Sequence, residues 1–241
     1  MSYLDIHSHI LPAVDDGAKD LEMSVALLEM LKRQGVTHVA ATPHFYPDID
    51  GVDDFSERVE NAFWELTQKI RGADLPQVYR GCELHYFDGI GRSKALRQFT
   101  LQNTRYILLE LWYGEPVTNA VLQDITDIYE NAGLVPILAH VERYSRVKGY
   151  KKLLKLVSEG VAMAQINASS VLSKEYGRET ERLIKKGLAS FIASDTHSPN
   201  GRPPLIEQAL AHITARLGKS AATRLKIASN KLLDEIEAAN E

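Results

Sequence analysis

Asn131-Ala132-Gly133-Leu134-Val135-Pro136-Ile137-Leu138-Ala139-His140 carries three signals in a row. A glycine stops a helix-like stretch, an apolar run follows, and an imidazole stands where the run ends. Glycine takes the left-handed conformation that closes a helix before the next strand at little steric cost. The same punctuation recurs at Gln34-Gly35, Glu159-Gly160 and Lys186-Gly187. Strand-like runs cover 3–7, 36–42, 77–84, 105–111, 134–140, 161–167 and 189–194. Between them lie amphipathic patterns such as Leu21, Val25, Leu28 and Phe55, Val59, Phe63, Leu66, Ile70, spaced by three or four as a helix requires. Repeated helix–Gly–strand units with strands apolar on both faces mean parallel strands covered by helices. The reading is α/β: a distorted, TIM-like (β/α)7 barrel over a single domain, residues 1–241, with a doubly wound open sheet as the alternative. In such a barrel the reactive residues stand at the C-terminal strand ends. The tail from Gly218 reads as a final amphipathic helix.

Composition narrows the classes of function. With 44% hydrophobic and 25% charged residues in 241, the chain can bury one large core. A formal net charge of −4, with no basic stripe, argues against nucleic acid or an anionic membrane as partner. No stretch approaches the roughly 20 apolar residues of a membrane span, and the amino terminus enters a strand without a signal-like pattern. One cysteine, Cys82, excludes an internal disulfide framework; the expected compartment is the cytoplasm. Oligomeric state is not legible.

The ends of the apolar runs are unusually polar. His7-Ser8-His9, Thr42-Pro43-His44 and Asp195-Thr196-His197 each sit there, as do Glu83, Glu110 and His140, while Asp15 and Asp16 follow the first motif. A buried charge costs several kcal/mol unless it is paired or metal-bound, so this many in register imply a shared polar centre. Imidazole mixed with carboxylate suits manganese, iron or zinc. His85, two residues beyond Glu83, could add a ligand or simply line the rim; His38 and His212 read as structural. Cysteine-based phosphatases place an arginine six residues after the thiolate, but Asp88 occupies that position, so Cys82 reads as a small strand residue. No Gly-x-Ser-x-Gly elbow and no Gly-rich phosphate loop is present, and catalysis is expected to run through metal. Aromatic residues directly follow these positions: Phe45 and Tyr46, Trp112 and Tyr113, and Tyr144. They are candidates for a rim that stacks on an aryl group.

The order His-x-His, Asp-Asp-Gly, Thr-Pro-His, Glu83, Glu110, His-x-Glu-Arg and Ser-Asp-x-His resembles the PHP (polymerase and histidinol phosphatase) superfamily over essentially the whole chain. Within it, "DIHSHILPAVDDGAKD", "ATPHF", "ILAHVER" and "ASDTH" are most similar to the bacterial metal-dependent protein-tyrosine phosphatases of the CpsB/YwqE type. The resemblance implies a three-metal centre, with manganese the expected ion and iron or zinc as alternatives. His7, His9, Glu83 and Asp195 would hold one ion; Glu83 would bridge to a second, held also by Glu110 and His140; Asp16, His44 and His197 would hold the third. Arg143 and Arg202 match positions that grip the substrate phosphate, and a metal-bound hydroxide would attack phosphorus. The implied partner is the phosphotyrosine-bearing tail of a bacterial tyrosine kinase controlling capsule or exopolysaccharide production. A small-metabolite phosphatase, such as one for histidinol phosphate, is the alternative enzyme, and a metal-bearing regulator that only binds phosphotyrosine is the non-enzymatic one. Val141 departs from the pattern, which commonly has proline there; this bears on loop stiffness and leaves His140 in place.

Overall fold

A computed structural model describes residues 2–239. The strands are β1 (Leu4–Ser8), β2 (His38–Ala41), β3 (His44–Phe45), β4 (Gln77–Arg80), β5 (Glu83–His85), β6 (Tyr106–Glu110), β7 (Val135–Leu138), β8 (Met163–Asn167) and β9 (Phe191–Ala193). The helices are α1 (Leu21–Arg33), α2 (Val52–Lys69), α3 (Asn119–Glu130), α4 (Tyr150–Ser158), α5 (Ala168–Leu172), α6 (Gly177–Lys185), α7 (Ile206–Leu217) and α8 (Lys219–Ala238). Local chemistry sets the helix starts. Asp20 accepts a hydrogen bond from Met23 N before α1, and Thr118 accepts one from Val121 N before α3, each satisfying a backbone donor of the first turn.

Every strand pair is parallel, in the orders β1-β2-β4 and β3-β5-β6-β7-β8-β9. The α/β class and parallel sheet are therefore as the sequence reads, but the expected strand 77–84 is interrupted and a short extra strand follows the expected strand 36–42. Beyond β2, Pro43 has no N–H to donate, so the ladder stops and resumes as β3, while Pro43 O still accepts from Glu83 N at 3.0 Å. Between β4 and β5 the chain passes Gly81, where a Cβ would lie 2.6 Å from the Leu101 side chain and 3.0 Å from that of Thr42. The last strand curls back towards the first: Asp195 N donates to His7 O and His9 N to Thr196 O, both at 2.9 Å, around a single Ser8–Thr196 bridge. The result is a curled parallel sheet wrapped by helices.

Side chains alternate across each strand and so feed two cores. Ile107, Leu109 and Ile192 join the large core under the helices, whereas Leu108, Ile137, Phe191 and Ala193 join a smaller one with Leu4 and Ile6. Leu232, Leu233 and Ile236 of α8 seal that smaller core. This helix crosses the beginnings of the strands: Ser229 Oγ hydrogen-bonds Leu4 N at 3.1 Å, and Tyr106 OH donates to Glu235 at 2.8 Å. With one end closed by apolar packing, the C-terminal strand ends are left for polar groups. Phe191→Ala is expected to destabilise the fold by about 3–5 kcal/mol, measured by urea denaturation, because the ring fills the space between sheet and α8.

Candidate metal centre

Glu83, at the start of β5, is 1% exposed and stands at the middle of the polar cluster. Its Oε2 lies 3.0 Å from His7 Nε2, 3.2 Å from His9 Nε2 and 3.0 Å from His44 Nδ1. Its Oε1 lies 3.0 Å from His140 Nε2, which is also 3.3 Å from Glu110 Oε1. Asp195 Oδ1 is 3.5 Å from both His7 Nε2 and His9 Nε2, and Asp16 Oδ1 is 3.3 Å from His197 Nε2. All nine candidate ligands of the sequence thus come together. Three overlapping groups have the spacing to hold a cation: His7, His9, Asp195; His44, Glu83, Glu110; and His9, Asp16, His44, His197. His44 stands between two of them, with Nδ1 towards Glu83 and Glu110 and Nε2 3.6 Å from Asp16.

The outer ring nitrogens explain why the inner ones are free to bind. His7 Nδ1 lies 3.2 Å from Gln165 Oε1, His9 Nδ1 2.7 Å from Asp15 Oδ2, and His197 Nδ1 3.0 Å from Asp195 O. An acceptor on the outer nitrogen fixes the proton there and leaves the Nε2 lone pair facing the cluster. His44 Nδ1, Glu83 Oε2 and His197 Nε2 are buried and make no hydrogen bond. Buried polar atoms are almost always satisfied, so atoms of this kind facing one another fit a divalent cation between them.

Two of the ligand positions are held in unusual backbone. His140 (φ 30°) and Asp195 (φ 50°) lie in the left-handed region, which costs a non-glycine residue on the order of 1–3 kcal/mol and persists only where neighbours hold it. Gln165 Oε1 accepts from His140 N at 2.7 Å, and His7 O accepts from Asp195 N at 2.9 Å. The Asp-Asp-Gly motif has a similar logic. Asp15 accepts from His44 N and Gly17 N, and a Cβ on Gly17 would lie 2.2 Å from His9 O. Only glycine lets that loop close on the strand end.

Burial and charge oppose each other here. Burial would neutralise His9, but the Asp15 and Glu83 carboxylates beside it outweigh that and raise it to about 10. Burial and Arg143 disfavour charge on His140, yet Glu110 and Glu83 raise it to about 9. Burial alone would raise the carboxyl of Asp195; His7 and His140 instead hold it far below the usual range. Without cations, the charge that His9 and His140 retain offsets that of the clustered carboxylates.

Arg143 and Arg202 both reach Asp195 Oδ2, at 3.1 and 2.7 Å, and Asn167 Nδ2 donates to the same oxygen at 2.6 Å. Gln165 and Asn167, joined at 2.7 Å, link His7 to Asp195 and were missed in the sequence. The signal was present: the run 161–167 ends in a polar pair spaced like His7 and His9, but in amides instead of ionisable groups. Asp15, noted beside Asp16, is a hydrogen-bond partner of His9. His85 belongs to none of the three groups and packs on Trp112 with centroids 3.9 Å apart. Of the aromatic residues, Phe45 is buried against Phe55 and Phe99 and does not reach a rim, whereas Tyr144, although buried with its hydroxyl donating to Leu111 O, lines the cavity next to Glu110 and Arg143. Tyr46 stacks on His44, and Trp112 and Tyr113 are exposed. Tyr113 and Tyr176 approach hydroxyl to hydroxyl at 3.5 Å beside a cavity of about 320 Å³ that also touches Glu110, His140 and Arg143. Cys82 is buried, and burial pushes its thiol well up, as suits an inert strand residue.

A parallel sheet with clustered candidate metal ligands at its strand ends defines an α/β architecture suited to metal-dependent hydrolysis. The chain belongs to the capsular polysaccharide synthesis CpsB/CapC family, whose profile matches residues 3–234. It is 31% identical over 238 residues to the tyrosine-protein phosphatase CpsB of Streptococcus agalactiae, covering 93% of this chain and 95% of that one. It is 30% identical over 220 residues to the tyrosine-protein phosphatase YwqE of Bacillus subtilis, covering 89% and 85%. Among solved structures it is similar to one from a study of the metal-dependent tyrosine phosphatases YwqE of B. subtilis and CpsB of Streptococcus pneumoniae. That match has a TM-score of 0.84 at 29% identity and covers 96% and 94% of the two chains. A histidinol phosphate phosphatase of Lactococcus lactis shares the fold, with a TM-score of 0.54 at 12% identity over 92% and 94%.

Two outcomes are expected. Titrating manganese into metal-free protein at pH 7 should release about two protons per molecule, because the rings of His9 and His140 carry protons until a cation displaces them. Affinity should accordingly weaken as pH falls; calorimetry in buffers of different ionisation enthalpy reads both. Gln165→Leu should lower metal affinity roughly 10- to 100-fold, since it removes the acceptor that orients His7 and pins His140.

Proposed function

We propose that this chain is a metal-dependent protein-tyrosine phosphatase. The observation that carries the reading is the convergence of eight imidazole and carboxylate groups around Glu83, with two arginines beside them. His7, His9, Glu83 and Asp195 would hold one ion; Glu83, Glu110 and His140 would hold a second; Asp16, His44 and His197 would hold a third, with His44 also in reach of Glu110. The ions are divalent, manganese first and iron or zinc next. When bound, they lower the pKa of a water and neutralise phosphate charge.

The chain's own residues do the rest. Arg143 and Arg202 present planar forks to phosphate oxygens, and their shared hold on Asp195 orients both towards the ions. The cavity between Tyr113, Tyr176 and Arg143 takes the phenyl ring, and the buried Tyr144 fixes the backbone of Leu111 behind it. A phenolic leaving group needs little protonation, so no general acid is assigned. The fold is a distorted (β/α)7 barrel in which β2 with β3, and β4 with β5, each form one bent stave, and the site lies at its C-terminal strand ends. The substrate is the phosphotyrosine-bearing tail of a bacterial tyrosine kinase in capsule or exopolysaccharide production, met in the cytoplasm. Among the described residues no helix is long and apolar enough to cross a membrane.

A steady-state comparison of a phosphotyrosyl peptide, a phosphoseryl peptide and histidinol phosphate on one manganese-loaded sample tests this. The phosphotyrosyl peptide should have the highest kcat/KM, and chelation should abolish its hydrolysis. Preference for histidinol phosphate would replace the reading with a metabolite phosphatase, and binding without turnover would leave a regulator. Alanine at Arg143 or Arg202 should spare metal content while lowering kcat/KM by roughly ten- to a hundred-fold, the scale of one charge-assisted contact.

A further inference from the structure

We propose that a basic groove next to the centre is a docking site for acidic residues flanking the phosphotyrosine of a polypeptide substrate. This rests on the phosphatase reading above. The groove, about 700 Å³, lies between the 173–178 segment and α7. Its lining holds four cations, Arg146, Lys174, Arg178 and Arg216, against two carboxylates, Glu175 and Glu181. The carboxylates are already engaged: Glu175 by Arg146 and Glu181 by Arg216, each at 3.0 Å. Among the described residues, the side chains of Lys174 and Arg178 make no ion pair or hydrogen bond, and both are exposed. A local excess of free positive charge on a chain of net charge −4 runs against the overall composition.

Continuity with the site identifies the occupant. Tyr176 and Arg143 line the cavity beside Glu110 and His140, while Glu175, Gly177 and Arg146 line the groove, so one short segment and one turn form walls of both. An extended chain advances about 3.3–3.6 Å per residue, so residues one to four away from a phosphotyrosine seated in the cavity pass over the groove. A nucleic acid fits poorly, because the lining offers no Phe, Tyr or Trp on which bases could stack. Leu172, exposed in the groove, suits a peptide backbone or aliphatic stem.

The test compares two phosphotyrosyl peptides of equal length, one with Glu and Asp around the phosphotyrosine and one with Ser and Gln, alongside p-nitrophenyl phosphate. Wild type and the double variant Lys174→Glu, Arg178→Glu are assayed with manganese. Wild type should favour the acidic peptide by roughly three- to tenfold in kcat/KM, through KM, and the preference should shrink at about 0.5 M salt. The double variant should lose or reverse that preference and hydrolyse p-nitrophenyl phosphate at the wild-type rate. Equal kcat/KM for both peptides in wild type, or a preference that survives in the double variant, overturns the proposal. So does an equal fall on p-nitrophenyl phosphate, which would place the two cations in the reaction or the fold. If wild type hydrolyses no aryl phosphate, the phosphatase reading fails separately. Fluorescence anisotropy of the same labelled peptides then decides the groove, since tighter binding of the acidic one by wild type alone supports it and equal binding overturns it.

Discussion

A single buried carboxylate, Glu83, organises this molecule. Both of its oxygens face imidazoles, and those rings come from the end of β1, the start of β3 and the second residue after β7. Burial disfavours its charge, and the surrounding His7, His140 and His9 reverse that, holding it well below the ordinary carboxylate range. An isolated carboxylate so placed would cost several kcal/mol. The strands therefore have to deliver their positive partners to one point, and that requirement fixes register as firmly as the apolar cores do.

The division of the interior follows from it. Apolar side chains and α8 close the N-terminal strand ends, and polar groups crowd the other. Left-handed backbone at His140 and Asp195 turns two side chains inward after their strands have ended. Gln165 and Asn167 then tie those positions to His7, so the arrangement is held by neutral amides as well as by charge. Strain at the site is balanced by hydrogen bonds that only this topology can supply.

Charge is also distributed by layer. Asp195 gathers Arg143, Arg202 and Asn167 at the mouth of the centre, while the cations that lie farther out pair with surface carboxylates or stay free. A chain of modest net negative charge thus presents a positive face where a phosphorylated polypeptide would approach.

The sequence by itself determined the alternation of helix and strand and the parallel class of the sheet, and it pointed to nine candidate ligands, eight where an apolar run stops and Asp16 just beyond the first motif. It also exposed the roles of Gly133 and Cys82, which depend on local conformation and residue type alone. Tertiary structure decided the rest. Pro43 ends β2 by its own missing N–H, but Gly81 is required by the Leu101 and Thr42 side chains across from it, which no local pattern encodes. Phe45 looks like a rim residue by position but is core, since a residue next to a ligand can point either way. Gln165, Asn167 and the groove of Lys174 and Arg178 became visible only when distant segments met. Uncharged amides and exposed cations carry no burial penalty in the sequence, and their meaning comes entirely from their neighbours.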